Sequence, residues 1–157
     1  MNNPIKITLT TSETELNECA ELMSLSEPFK TLKIDLKRCM IAVRGEFKEV
    51  YVLNMHDQFA GFVVINLYGV LRGYIQTICL GPEFRNKGYG TLLLKFSEER
   101  IFKESPNVFM CVSSFNYEAQ KLYKRLGFEQ IGILKDHFIK GCDEYILRKQ
   151  QCSIMDF

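Results

Sequence analysis

The sequence has no Cys-x-x-Cys pair, only two histidines, and no real excess of charge of either sign. It also lacks a long apolar run, an internal repeat and any Pro/Gly/Ser-rich linker. Each absence excludes a class of protein. The 20 Lys and Arg against 19 Asp and Glu leave a formal charge of +1. A dedicated nucleic-acid or membrane-surface binder draws on a basic excess, so neither partner is expected. The cysteines Cys19, Cys39, Cys79, Cys111, Cys142 and Cys152 are scattered, and His56 lies far from His137. No metal site is expected, and a chain with an adequate core has no need of a disulfide framework. Reduced, buried thiols are the expectation. The opening Met1-Asn2-Asn3-Pro4 has neither a basic nor an apolar leader region, and no apolar run reaches about 18 residues. The sequence reads as a soluble cytoplasmic protein.

What is present is ordinary globular composition, with 46% hydrophobic and 25% charged residues in 157. A chain of this length buries roughly 70% of its unfolded surface, enough for one core. A single domain over 1–157 is expected. Ile5-Lys6-Ile7-Thr8-Leu9 alternates as a strand does. Ser12-Glu13-Thr14-Glu15 forms a capping box before Leu16, Cys19, Ala20 and Met23 at helical spacing. Pro28 interrupts the chain before a second helix expected from about Thr31, with Leu32, Leu36, Cys39 and Val43 on its apolar face. Strand-like runs at 50–55, 59–67 and 74–80 are joined by short polar or glycine-bounded connections, the pattern of an antiparallel meander. A helix from Gly90, a strand at 108–112, a helix at 116–126 and strands at 128–139 and 145–148 complete the chain. The order β-α-α-β-β-β-α-β-α-β-β predicts an α+β fold.

The informative stretch is Cys79-Leu80-Gly81-Pro82-Glu83-Phe84-Arg85-Asn86-Lys87-Gly88-Tyr89-Gly90-Thr91. A strand ends, a turn follows, and Arg-x-x-Gly-x-Gly runs straight into a helix. Glycines remove the Cβ that would block a ligand, and the amides of a helix start point outward with the positive end of the dipole. Arg85 and Lys87 add full charges. These residues suit a diphosphate, and equally a plain strand-to-helix turn. A Rossmann site would need a third glycine and a P-loop would need Gly-Lys-Ser/Thr, and neither pattern is present. The second stretch runs from Val112 to Phe128: a strand, a helix started by Asn116 and stopped by Gly127, and another strand. Ala119, Leu122, Tyr123 and Leu126 form one apolar stripe, so Tyr123 by itself reads as a core tyrosine.

Taken together, Arg85-Asn86-Lys87-Gly88-Tyr89-Gly90 after an apolar strand and the later Asn116, Ala119, Leu122, Tyr123, Gly127 and Phe128 resemble the GNAT superfamily of N-acetyltransferases. The element order is similar to that fold over nearly the whole chain. The resemblance implies a mixed, mostly antiparallel sheet of six to seven strands with about four helices and a V-shaped splay between its central strands. It implies transfer of an acetyl group from acetyl-CoA to a primary amine of a small molecule or peptide, directly, in a ternary complex. The alternative on the same fold is a non-catalytic acyl-CoA-binding module. The amides of Arg85, Asn86, Lys87, Gly88, Tyr89, Gly90 and Thr91 would hold the pyrophosphate. Ile78, Cys79 and Leu80 would pair with the pantetheine arm, Asn116 would touch the cofactor near its pantetheine–pyrophosphate part, and Tyr123 would stand beside the thioester sulfur.

Physical chemistry makes those implied roles coherent. Charge develops on a thioester oxygen and then on sulfur, where backbone amides and a phenol of pKa about 10 can answer it. The acceptor amine arrives protonated, and no carboxylate lies on either central strand. Cys111 stands where the ribosomal-protein alanine acetyltransferases carry a glutamate. His137 or a chain of waters is the substitute for a base that the sequence offers. Cys79 and Cys111 sit in apolar strands, where thiols pack rather than react. Glu27 is expected on the acceptor-side wall, and Lys121, Lys124 and Arg125 on a basic helix face. A homodimer would form through the last strands or the Ile154-Met155-Asp156-Phe157 tail.

Overall fold

The structure, a computed structural model, describes residues 4–157. Met1-Asn2-Asn3, read above for the absence of a leader, lie outside the described residues. The elements are β1 (Ile5–Thr10), α1 (Glu13–Ser24), α2 (Leu36–Ala42), β2 (Lys48–Met55), β3 (Gln58–Asn66), β4 (Tyr74–Leu80), α3 (Tyr89–Ile101), β5 (Asn107–Ser113), α4 (Tyr117–Arg125), β6 (Glu129–Ile139) and β7 (Cys142–Gln150). Their order is the one read from the sequence, and the fold is α+β. The sheet runs β1-β2-β3-β4-β5-β7-β6. All neighbours are antiparallel except β4 and β5, which run parallel.

Alternation along the strands places helices on both faces. Val52, Phe62, Val64 and Cys79 pack against Cys19, Ala20 and Met23 of α1 and Cys39 of α2. The intervening Leu53, Val63 and Ile65 pack on the other side with Leu93, Leu94 and Ile101 of α3. A strand covered on both faces must read as a continuous apolar run, which is why 60–65 shows no polar alternation. The β2–β3 connection is tighter than the three-residue link expected. His56 and Asp57, at φ 49° and 63°, form a two-residue turn of the kind whose twist matches a hairpin.

Three local readings are corrected. The second helix begins at Leu36, not near Thr31, because Asp35 caps it by accepting from the Arg38 amide at 2.8 Å. Leu36 consequently faces solvent, while Leu32 is buried from the preceding loop. The capping box is only half formed. Ser12 accepts from the Glu15 amide, but Glu15 accepts from the Thr10 hydroxyl, which in turn accepts from the Ser12 amide. Finally, the last strand starts at Cys142 rather than Tyr145, which brings Glu144 into the sheet.

Helix α3 is fixed at its C-terminal half. Arg100 donates to both oxygens of Glu49 on β2, at 2.9 and 2.7 Å, and Lys149 of β7 reaches Glu98 at 2.7 Å. Two-point guanidinium–carboxylate pairing holds orientation as well as distance. The helix therefore keeps its N-terminus aimed at the end of β4.

Candidate active site

The parallel seam between β4 and β5 is short. It pairs Tyr74 with Phe109 and Ile75 with Met110, and no register continues beyond them. From Asn107 to Ser113, β5 instead pairs fully with β7. The β4 edge from Gln76 to Leu80 is therefore left without a strand neighbour on the β5 side, and the sheet opens into a wedge. Backbone groups along such an edge need a partner, which a ligand with amides of its own can supply.

The wedge holds two adjoining cavities. The smaller, about 200 Å³, is lined by Ile78, Cys79, Leu80, Arg85, Gly90 and Asn116, among others. The larger, about 290 Å³, lies toward β6 and β7. Ile78, Asn116 and Tyr123 line both. Tyr123 is 8% exposed and stacks edge-to-face on Phe128 at 6.2 Å between ring centroids. Its hydroxyl makes no hydrogen bond among the described residues. Burial first, then the neighbouring Cys79 thiol, pushes the phenol above its ordinary range, so it stays protonated.

At the outer end of the wedge the chain turns through Pro82–Phe84 into α3. Gly88 is the helix N-cap, with φ 86° and no side chain capping it. That backbone angle favours glycine, and a Cβ built there would meet nothing within 4 Å. The first amides of α3 have no intrahelical acceptor and open onto solvent beside the smaller cavity. Asn86, Lys87 and Gly88 are exposed on this turn, with Tyr89 and Thr91 half-buried behind them. Arg85 turns back from it. Its Nε donates to the Leu80 carbonyl at 3.0 Å and its Nη2 to the Ser26 hydroxyl at 3.3 Å, tying the turn to the loop after α1. Asn116 caps α4, its Oδ1 accepting from the Ala119 amide at 3.4 Å.

The remaining candidates separate. His137 lines the larger cavity from an exposed position on β6, stacked edge-to-face on Phe138. Glu27 lines the smaller cavity, and its carboxylate accepts from the Thr31 amide at 3.2 Å. Lys121 pairs with Glu118 at 2.9 Å on the outer face of α4, next to exposed Lys124 and Arg125. Cys19, Cys39 and Cys79 are buried together, and burial pushes the Cys19 thiol up to about 12. None resembles an activated thiol. Among the described residues no group of three or more His, Cys, Asp or Glu is placed to hold a metal ion.

The sequence reading missed Glu144. The residue is 4% exposed and lines the larger cavity, and its carboxyl accepts from the Ser113 hydroxyl at 2.5 Å. Glu144 pairs in register with Ser113 across β7 and β5. The central strands indeed carry no carboxylate. One arrives from the next strand over.

The fold is thus a mixed sheet opened at one central seam, with an uncapped helix start beside the opening. The chain belongs to the acetyltransferase (GNAT) family, whose model matches residues 14–128. An N-alpha-acetyltransferase of Sulfolobus acidocaldarius is 30% identical over 111 residues, 62% of this chain and 66% of the relative. The chain spans about half the length of other curated relatives it matches, 49% and 48%. Among solved structures, the ribosomal-protein-S18-alanine N-acetyltransferase of Escherichia coli superimposes with a TM-score of 0.76 at 18% identity, over 95% of this chain and 96% of that one. Arabidopsis thaliana Naa50, in complex with the bisubstrate analogue CoA-Ac-MVNAL, gives 0.70 at 20% identity over 95% and 100%. At such identities the structural likeness establishes the fold. No helix among the described residues is long and apolar enough to cross a membrane.

Proposed function

We propose that this chain, acting as one domain over 1–157, is an acetyl-CoA-dependent N-acetyltransferase whose acceptor is a primary amine of a small molecule or peptide. The observation that carries the reading is the continuity of the site. An uncapped helix start, an unpaired strand edge and a protonated tyrosine follow one another along a single wedge.

The residues fit the cosubstrate. The amides from Lys87 to Thr91 would hold its diphosphate, with Lys87 free to add charge. The edge Ile78-Cys79-Leu80 would hold the pantetheine amides, with Asn116 on the facing wall. Acetyl-CoA supplies an activated acyl group and a thiolate leaving group. Tyr123, which lines both cavities, would give its hydroxyl proton to the leaving thiolate, and burial keeps that proton in place at neutral pH. The wedge walls hold both reactants together and exclude bulk water, so direct transfer in a ternary complex needs no enzyme nucleophile. Cys111, half-buried on the larger cavity, is held toward its unreactive protonated form by desolvation, which agrees with that.

The alternative of a binding module without chemistry rested on the lack of a carboxylate. Glu144 in the larger cavity weakens it. Two measurements test the proposal. Acetyl-CoA is expected to raise the melting temperature, and thiol release from acetyl-CoA is expected to depend on an added primary amine. Binding without amine-dependent release would establish the module instead. Absence of binding would overturn both.

A further inference from the structure

The larger cavity has a chemical asymmetry. Glu144 is the one carboxylate among its lining residues, and no lysine or arginine joins it. Most of the remaining wall is apolar, with Phe29, Leu32, Leu134, Phe138 and Ile146 among the lining residues. Ser113 engages Oε1, while no hydrogen bond among the described residues engages Oε2. A nearly buried carboxylate with one oxygen anchored and the other open to a cavity is a receptor for a cation.

We infer that Glu144 receives the ammonium of the acceptor and takes its proton, and that the acceptor is a monoamine carried on an apolar body. The inference rests on the proposed acetyltransferase reading and extends it to the acceptor class. The N–H bond breaks with its electron pair left on nitrogen, and the proton passes to Oε2, giving a neutral carboxylic acid. Water at the cavity mouth, beside exposed His137, takes the proton away. A polyamine would leave its further ammonium groups against apolar wall, since among the described residues no second carboxylate lines this cavity. The ammonium on an apolar body could come from a free arylalkylamine or from a peptide's apolar N-terminal residue.

Several groups face the carboxyl: Tyr74 from β4, Cys111 and Ser113 from β5, and His137 from β6. Burial dominates and holds the carboxyl above the usual carboxylate range, while the Ser113 hydrogen bond and the His137 charge oppose it. A base raised toward the working pH is better matched to an ammonium.

The test uses the full chain with 2-phenylethylamine, a pentapeptide with a free N-terminal methionine, and spermidine. Acetylation of the amine or the peptide is expected to exceed that of spermidine at least tenfold in kcat/KM, and whichever is preferred identifies the source. Glu144→Gln is expected to retain the acetyl-CoA thermal shift, to lose about 100-fold in turnover at pH 7, and to lose the acidic limb of the pH profile. Ser113→Ala keeps the carboxyl but removes its donor. Its acidic limb is expected at higher pH than in the parent, which holds the test open if the glutamine variant folds poorly. Preference for spermidine, or a glutamine variant within twofold of the parent with an unchanged profile, overturns the inference while the acetyltransferase reading stands. Loss of the acetyl-CoA shift in the parent overturns that reading first, and this inference with it.

Discussion

Replacing Tyr123 by Phe separates the chemical use of the hydroxyl from the packing use of the ring. The ring lies against Phe128 and is buried, whereas the hydroxyl has no hydrogen-bond partner among the described residues. Tyr123→Phe therefore deletes no bond and opens no cavity. Stability is expected to stay level or rise by up to about 1 kcal/mol, since the residue lines a cavity and its hydroxyl forms no hydrogen bond whose loss would count against the variant. For a chain of this length that is a rise in Tm of at most about 4 °C. Turnover is expected to move the other way. Loss of a general acid typically costs 100-fold or more, about 2.7 kcal/mol of transition-state stabilisation. The control is Tyr123→Ala, which removes the ring and is expected to cost about 3–5 kcal/mol of folding stability. The assays are thermal denaturation and thiol release across pH. Burial holds the phenol above its ordinary range, so no basic limb from its ionisation is expected below about pH 10. Full turnover by the Phe variant across pH would refute the acid role. A large loss of stability would refute the reading of the hydroxyl as unpartnered.

Two further expectations follow from burial and close packing. Glu144 has a folded-state pKa above its ordinary 4.5, so the folded protein binds more protons than the unfolded chain just above that pH. Its contribution is fully present below about 4.5 and is lost as pH rises through the raised value, so Glu144→Gln should gain Tm relative to the parent between pH 4 and 8. A difference in Tm that stays flat with pH would refute the burial argument. At Gly61 on β3 a Cβ would fall 2.4 Å from the Cys79 carbonyl oxygen and 2.8 Å from a Leu80 methyl. Gly61→Ala must shift the end of β4, and is expected to cost about 1–3 kcal/mol in denaturant unfolding and to weaken acetyl-CoA binding in the same variant. Unchanged acetyl-CoA affinity would detach this strand end from the cosubstrate.

The parts of the fold visible in the sequence are those decided by local physics. Capping at Ser12, the apolar run of β3, the glycine-marked turn into α3 and the Asn116-started helix depend on neighbours along the chain. The misread parts depend on distant ones. Leu32 and Leu36 fit a helical period, but Asp35 caps a later start, and only the buried loop explains why Leu32 is apolar. Glu144 was hidden for a related reason. Gly141-Cys142-Asp143-Glu144 looks like turn material because acidic residues are poor strand formers. Its place in β7 comes from pairing with β5 and β6, and its burial comes from Ser113, which is remote in sequence. One signal was available. If the strand is extended backward from Tyr145, Glu144 shares a face with Ile146, and that is the face lining the cavity.

The two proton-handling groups proposed for the wedge owe their suitability to the same physical cause. Tyr123 and Glu144 line the same larger cavity, and burial is the largest influence on both. For a phenol, burial strengthens its hold on a proton at neutral pH, as required of a group that gives the proton only to a strong base. For a carboxylate, burial weakens its preference for charge, as required of a group that must take a proton from an ammonium. A single apolar environment thus moves both pKa values upward and leaves an acid and a base, because their ordinary values lie on either side of neutrality. The wedge that admits the ligand also creates this environment. Where β4 and β5 part, side chains meet a cavity instead of a strand, and polar ones such as Tyr123 and Glu144 are partly stripped of water. Closing the seam would satisfy the β4 edge and remove the chemistry together.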